Sequence, residues 1–333
     1  MSQEINFWDL PFDVLCFIFD LMDYLRDELR FASVHSKLGE VFAYKNRHLL
    51  ERLNLDQYKL RDALLMVKVA GSSAINSIYC TRKSTTMLKY AKKYCQHLKI
   101  LHFHINVHDD ISMMAKCVSQ IPTLTRLEIR CNIKATPNGT LVDSLKELPN
   151  LTDLKLANFS DEEVVHIKEL NGLEKLYLSN IQFNKLGMQQ CLQEAFSTPK
   201  KLKSLKLIDG HLINADFKEI ALIEASRLPP NPSFELRRLG PAMGQLTELK
   251  QLYLYDIFIN TKNLLQVMRG CKVLTCLKLY RTYQINHEFV VELLKILNFH
   301  QFVNAQNQFF STCRKYWNNR RHFYGGWYHM ITI

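Results

Sequence analysis

LTDLKLANFSDEEVVHI, Leu151 to Ile167, changes its period halfway along. Leu154 and Leu156 alternate with Asp153, Lys155 and Ala157, as the two faces of a β-strand require. Phe159 and the polar pair Ser160-Asp161 follow, and then Val164 and Ile167 stand three apart, as on one face of a helix. A strand, a turn and a return helix are therefore written in a single stretch. Neither piece can bury its apolar side alone, so such a unit needs copies of itself to stack against.

The copies are present. The pattern Leu-x-x-Leu-x-apolar recurs at Leu124-Leu127-Ile129, Leu173-Leu176-Leu178, Leu202-Leu205-Leu207, Leu249-Leu252-Leu254 and Leu274-Leu277-Leu279. Weaker copies begin at Ile75 and Leu98. Starts at 75, 98, 124, 151, 173, 202, 249 and 274 are separated by 23, 26, 27, 22, 29, 47 and 25 residues. All but the 47 match the length of leucine-rich repeats. The long interval contains Leu228-Pro229-Pro230-Asn231-Pro232, which cannot continue a helix and reads as an irregular insertion near 225–245. Ser160, Asn214, Asn260 and Asn286 are suitable helix N-caps for the return helices. The Asn or Cys usual at the turn after the strand is not at its expected place; small or polar residues stand one position early, at Cys131, Asn158, Asn180, Asp209 and Asp256. The expected architecture is α/β: a leucine-rich-repeat horseshoe with parallel strands on the concave side and helices on the convex side.

The start of the chain has a different character. In LPFDVLCFIFDLM, Leu10 to Met22, Pro11 suits a first helical turn, and Val14, Leu15, Ile18, Phe19 and Met22 form one apolar stripe. Further short helices are expected over 26–34 and 36–44. Three short helices make a marginal core alone, so their apolar surface needs another cover. The run Leu10-Pro11-x-Asp13-Val14-Leu15-x-x-Ile18-Phe19, continued by Leu21, Asp27 to Phe31 and Val34, resembles the opening of an F-box. The resemblance covers about residues 7 to 48. It departs at His35, where the family often has Cys, and at Leu38, where it often has Trp. The repeats behind it resemble those that follow F-boxes. The resemblance implies docking on the Skp-type linker of a cullin–RING ubiquitin ligase, with Leu10, Pro11, Val14, Leu15, Ile18 and Phe19 forming or supporting the docking surface. The chain is thus divided into an F-box-like helical domain (1–50), a helical linker (51–74), repeats (75–298) and a divergent basic and aromatic cap or tail (299–333).

Residues between the core leucines face the concave side of such a sheet. They include Arg126, Glu128, Arg130, Asp153, Lys155, Lys175, Lys206 and Lys278, six basic against two acidic, with tyrosines concentrated later in the array. Tyr177, Lys206, Tyr253, Tyr255, Lys278 and Tyr280 are the candidate substrate-binding cluster, suited to an acidic or phosphorylated segment. The formal charge of +11 agrees with acidic partners. Basic residues interleaved with aromatics near the end, Arg314-Lys315-Tyr316-Trp317 among them, admit single-stranded nucleic acid as a ligand, but an end cap accounts for them more simply.

No catalytic constellation emerges: there is no Gly-rich phosphate loop, no HExxH and no Gly-x-Ser-x-Gly. In the cluster of His97, His102, His104 and His108, His102 and His104 lie on an expected strand and no paired cysteines follow at zinc spacing, so they read as exposed strand histidines and no metal or other cofactor is expected. Nine scattered cysteines without a CxxC pair suggest free thiols in a reducing compartment. The Leu10–Met22 run lacks the features of a signal peptide and is too short and acidic to span a bilayer. The expectation is a non-catalytic, cytoplasmic or nuclear substrate receptor of an SCF-type ligase, which brings a target close to a carrier enzyme. The alternative is a repeat-based scaffold or nucleic-acid-associated protein outside ubiquitin transfer. Neither a membrane nor nucleic acid is an expected partner in the leading reading.

Overall fold

The computed structural model describes residues 6–132, 140–182, 191–192, 194–197, 201–208, 246–255, 261–280, 292–293 and 295–296. The expected insertion near 225–245, the tail 299–333, the turn residues Asp209 and Asp256 and the caps Asn214, Asn260 and Asn286 lie outside them. The chain forms two compact units, Met1–Leu151 and Thr152–Ile333.

The first unit opens with helices α1 (Phe12–Asp20), α2 (Leu25–Ala32) and α3 (Ser36–Lys45). Leu15, Phe19, Leu29, Leu38, Val41 and Phe42 form their wholly buried centre. His35, where the F-box resemblance departs, has a structural role: its Nδ1 accepts from the Lys37 N–H at 3.2 Å and caps α3, while its ring stacks on Trp8. After α4 (Arg47–Leu50), the stretch read as a linker holds β1 (Leu53–Asn54) and α5 (Leu60–Ala70). Helix α5 packs against α2 and α3. Gly39 on α3 permits the close approach, since a Cβ there would stand 3.2 Å from Val69 Cγ1 and 3.3 Å from the Val69 carbonyl. The small helical core therefore gains its cover from the first repeat helix.

Strands β2 (Ser77–Cys80), β3 (Ile100–Ile105) and β4 (Arg126–Cys131) continue from β1, each parallel to the one before. Their leucine-type positions are in register: Ile78 beside Leu101, and Leu101 beside Leu127. Helices α6 (Ser84–Tyr94), α7 (Ile111–Val118) and α8 (Thr140–Ser144) return the chain and pack on one another in sequence.

The second unit repeats the scheme. Strands β5 (Asp153–Ala157), β6 (Lys175–Ser179), β7 (Ser204–Ile208), β8 (Gln251–Tyr255) and β9 (Cys276–Tyr280) are parallel neighbours in chain order. Leu154, Leu176, Leu205, Leu252 and Leu277 share one register row, and all are buried. Helix α9 (Asp161–Val164) follows β5, and α10 (Thr261–Gly270) lies between β8 and β9 and buries Leu264, Val267 and Met268. Asn158 and Asn180 end β5 and β6 with φ of 62° and 52°. Among residues with a side chain, asparagine tolerates this left-handed conformation well, which explains its use at the turn. Ser160 stands at the N-cap of α9, but its hydroxyl makes no capping bond. Short parallel strands with leucines in row after row and helical returns constitute the leucine-rich-repeat arrangement.

Candidate partner-binding faces

The helical block of the first unit divides its apolar residues between two environments. Leu15 and Phe19, expected in the docking set, are wholly buried, and Phe19 packs its ring on Phe31 at 5.3 Å. They cannot touch a partner; they hold α1 on α2 and α3. Pro11 and Val14 are exposed, and Leu10 and Ile18 are half-buried. The Lys37 ammonium donates to the Leu10 carbonyl at 2.9 Å and fixes the entry to α1. Sequence reading overlooked further apolar surface: Phe17, Leu21 and Tyr24 are 62%, 68% and 71% exposed, and Phe7, Trp8, Phe12, Val34 and Tyr44 are exposed as well. Nine of the twelve exposed large hydrophobic residues among the described residues fall between Phe7 and Tyr44. Scattered single apolar residues are ordinary on a surface, whereas a concentration marks contact with another molecule.

In the second unit, most of the expected cluster comes together. Register places Lys155, Tyr177, Lys206, Tyr253 and Lys278 in one row across five neighbouring strands. Tyr255 and Tyr280 pair in the row beyond; the Tyr280 side chain lies outside the described set. The Lys206 ammonium sits 4.9 Å from the ring centroids of both Tyr177 and Tyr255, and that of Lys278 sits 5.4 Å from Tyr253. These cation–π contacts hold the lysines over the sheet. Burial lowers the Lys206 pKa, and the neighbouring charges of Lys155 and Lys278 lower it further. The Tyr253 hydroxyl donates to Gln251 Oε1 at 3.3 Å and accepts from the Cys276 thiol at 3.9 Å. Burial, and then the Cys276 thiol, raise its pKa. Among the described residues, neither Lys206 nor Lys278 has a carboxylate partner. Lys155 is the member that residue type alone did not single out; only the strand register shows that it completes the row.

His97 and His108 are exposed and lie outside the strands, whereas the two histidines on β3 are not the exposed strand residues the sequence suggested. His102 and His104 are half-buried, and their rings lie 5.3 Å apart. Tyr79 lies against His102 at 4.2 Å, and Glu128 meets His102 Nδ1 at 3.2 Å. Desolvation chiefly, then the charges of His102 and Arg130, lower the pKa of His104, against smaller opposing effects of Asp56 and Glu128. No group of three or more His, Cys, Asp or Glu among the described residues could hold a metal ion. The eight described cysteines are free thiols, and burial raises those of Cys80, Cys95 and Cys191 to about 12. No helix among the described residues is long and apolar enough to cross a membrane.

No family model matches the sequence, and no curated protein matches it either. Among solved structures, the chain is similar to TLR13 in a TLR13–ssRNA13 complex, at 18% identity and a TM-score of 0.39 over 67% of this chain. It spans 30% of the TLR13 chain. It is also similar to an internalin (inlF) from Listeria monocytogenes, at 14% identity and a TM-score of 0.32, covering 71% of this chain and 75% of that one. The repeat architecture rests on the strand ladder and its leucine register rather than on these likenesses.

Proposed function

We propose that this protein is the substrate-recognition subunit of an SCF-type ubiquitin ligase. The observation that carries the reading is the concentration of exposed apolar side chains on a short helical block whose opening resembles an F-box. A three-helix block that keeps Phe17, Leu21 and Tyr24 in water while burying Leu15 and Phe19 has a core and, separately, a surface suited to a partner. In this reading α1 and its flanks dock on the Skp-type linker and, through it, on a cullin–RING ligase in the cytoplasm or nucleus. The lysine–tyrosine face of the second unit then binds the target. The contribution to ubiquitin transfer is proximity, with the transfer chemistry left to the enzymes of the complex.

The test is co-purification of the full chain with a Skp-type linker, using Pro11→Ala combined with Val14→Glu. Both positions are exposed, so the fold survives and circular dichroism stays unchanged. Stable linker binding by the natural sequence, lost in the variant, is the expected result. Absence of linker binding by the natural sequence overturns the reading. Target capture is tested separately with alanine at Tyr177, Tyr253 and Tyr255, which should abolish it while linker binding persists.

A further inference from the structure

Lys206 and Lys278 stand between two rows of different character. On one side, toward the ends of the strands, register lines up Ala157, Ser179, Ile208 and Tyr255 on β5 to β8. None of these four carries a charge at neutral pH. Ser179 is buried, and Ala157, Ile208 and Tyr255 are half-buried. On the other side, at the strand starts, Lys175, Ser204, Gln251 and Cys276 form a more polar row on β6 to β9. A partner lying over Lys206 therefore meets apolar surface on one side and polar surface on the other.

Lys206 is where charge and apolar surface meet. Its ammonium lies 4.9 Å from the ring centroids of Tyr177 and Tyr255. Ile208 stands two residues further along β7 and so shares its face. Lys206 is half-buried, and that burial lowers its pKa. An ion pair made there lies in a lower dielectric than one at an exposed lysine and is stronger once formed. Forming it strips water from the incoming carboxylate, which costs free energy. Apolar groups of the ligand offset that cost when they close over the same spot, on Ile208 and Tyr255, and keep water out. A run of acidic residues with no apolar neighbours leaves the pair open to water and gains little from the rings. Lys278, whose ammonium is 5.4 Å from the Tyr253 ring, adds a second cation without a carboxylate partner among the described residues.

We infer that this face binds an amphipathic acidic segment of a protein, in which an Asp or Glu meets the Lys206 ammonium while a large apolar side chain beside it seats on Ile208 and Tyr255. Lys278 serves the acidic side of the same segment. The inference rests on the reading of this face as the target-binding face. It narrows the target from any acidic segment to one that couples acid to an apolar anchor, and it ranks the anchor above total charge.

The experiment is fluorescence anisotropy of the purified full chain with labelled peptides. One carries two glutamates, each between leucines; a second has every leucine replaced by serine; a third carries a block of six glutamates and no leucine. The leucine peptide is expected to bind at least about tenfold more tightly than either of the others, although the third carries more charge. Added salt should weaken the glutamate block far more than the leucine peptide, because the closed pair is screened less. Ile208→Ser should bring the leucine peptide down to the level of the serine peptide and leave the glutamate block unchanged within about twofold, which also shows that the variant is folded. Lys206→Met keeps the apolar stem, removes the charge and should weaken the leucine peptide by about tenfold or more. Equal binding of the leucine and serine peptides overturns the inference, as does tighter binding of the glutamate block. Displacement of the leucine peptide by a single-stranded oligonucleotide more readily than by its own unlabelled form overturns it as well. If no peptide binds while the tyrosine variants still lose target capture, the amphipathic inference falls and the target face stands. If target capture also survives those variants, both fall.

Discussion

The same position of the repeat, between the two core residues of each strand, is used in opposite ways by the two units. In the first unit it holds Tyr79, His102 and Glu128, one per strand, on β2, β3 and β4. Tyr79 lies against the His102 ring and Glu128 meets His102 Nδ1, while His102 Nε2 is buried without a hydrogen-bond partner. In the second unit it holds Lys155, Tyr177, Lys206, Tyr253 and Lys278. There Tyr177, Tyr255 and Tyr253 hold Lys206 and Lys278 without neutralising them, and neither of these two lysines meets a carboxylate among the described residues. The leucine-type positions beneath both rows are buried: Leu101 and Leu127 in the first unit, Leu154, Leu205 and Leu252 in the second. The two rows therefore differ in what they leave for a partner, while the leucine-type positions beneath them are alike. A row that carries a carboxylate against an imidazole offers little to an acidic ligand, whereas lysines without a carboxylate partner attract one.

The largest expected effect would break the premise that the cores are equivalent. Leu127→Ala in the first unit and Leu205→Ala in the second each remove a wholly buried side chain from the matching repeat position. Each should destabilise its unit by about 2–5 kcal/mol, the usual cost of lost burial plus an unfilled cavity. Urea denaturation followed by circular dichroism reads the loss. A cost near zero in one unit and several kcal/mol in the other would show that the two stacks are not built alike.

A smaller effect sharpens the contrast between the faces. Lys206→Glu places a negative charge between Tyr177 and Tyr255, and binding of an acidic segment should weaken by about tenfold or more, or ~1.4 kcal/mol and upward. Glu128→Gln in the first unit removes the carboxylate partner of His102 and should leave that binding unchanged within about twofold. Titration of both variants with the same peptide checks the pair. Equal losses would mean that the charge of the whole chain, and not the lysine row, attracts the ligand.

How much of this was legible in the sequence depends on what kind of contact is asked about. The strands could be read because Leu154 and Leu156 must share a face, and the register of the ladder follows from near-equal repeat lengths. The helices over 26–34 and 36–44 appear at Leu25–Ala32 and Ser36–Lys45, their ends shifted by capping such as that of His35. The stripe on α1 was visible, but not its division. Val14 and Leu15 are neighbours in sequence, and only packing against α2 and α3 decides that Leu15 is buried while Val14 stays in water. Lateral contacts were less legible still. That Lys206 settles over Tyr177 and Tyr255, or that Glu128 meets His102, joins residues more than twenty positions apart and needs the strands side by side.

The smallest expected effect concerns the histidine face of the first unit and its response to acid. Burial, with the charges of His102 and Arg130, holds His104 in its neutral form, so its folded pKa lies below the ordinary imidazole value of about 6.5. The unfolded chain then takes up a proton at a higher pH than the folded chain does. By linkage, stability from this group is fully present above about 6.5 and is lost as the pH falls through that value toward the folded pKa. Asp56 and Glu128 oppose the shift. In urea titrations between pH 8 and pH 5, His104→Gln should flatten the acid-side decline in stability of the first unit, because glutamine has no proton to gain. Lys206→Met, which removes the cation at the centre of the other row, should leave that decline as it is. A decline unaltered by His104→Gln would move the pH response of the first unit away from the histidine face.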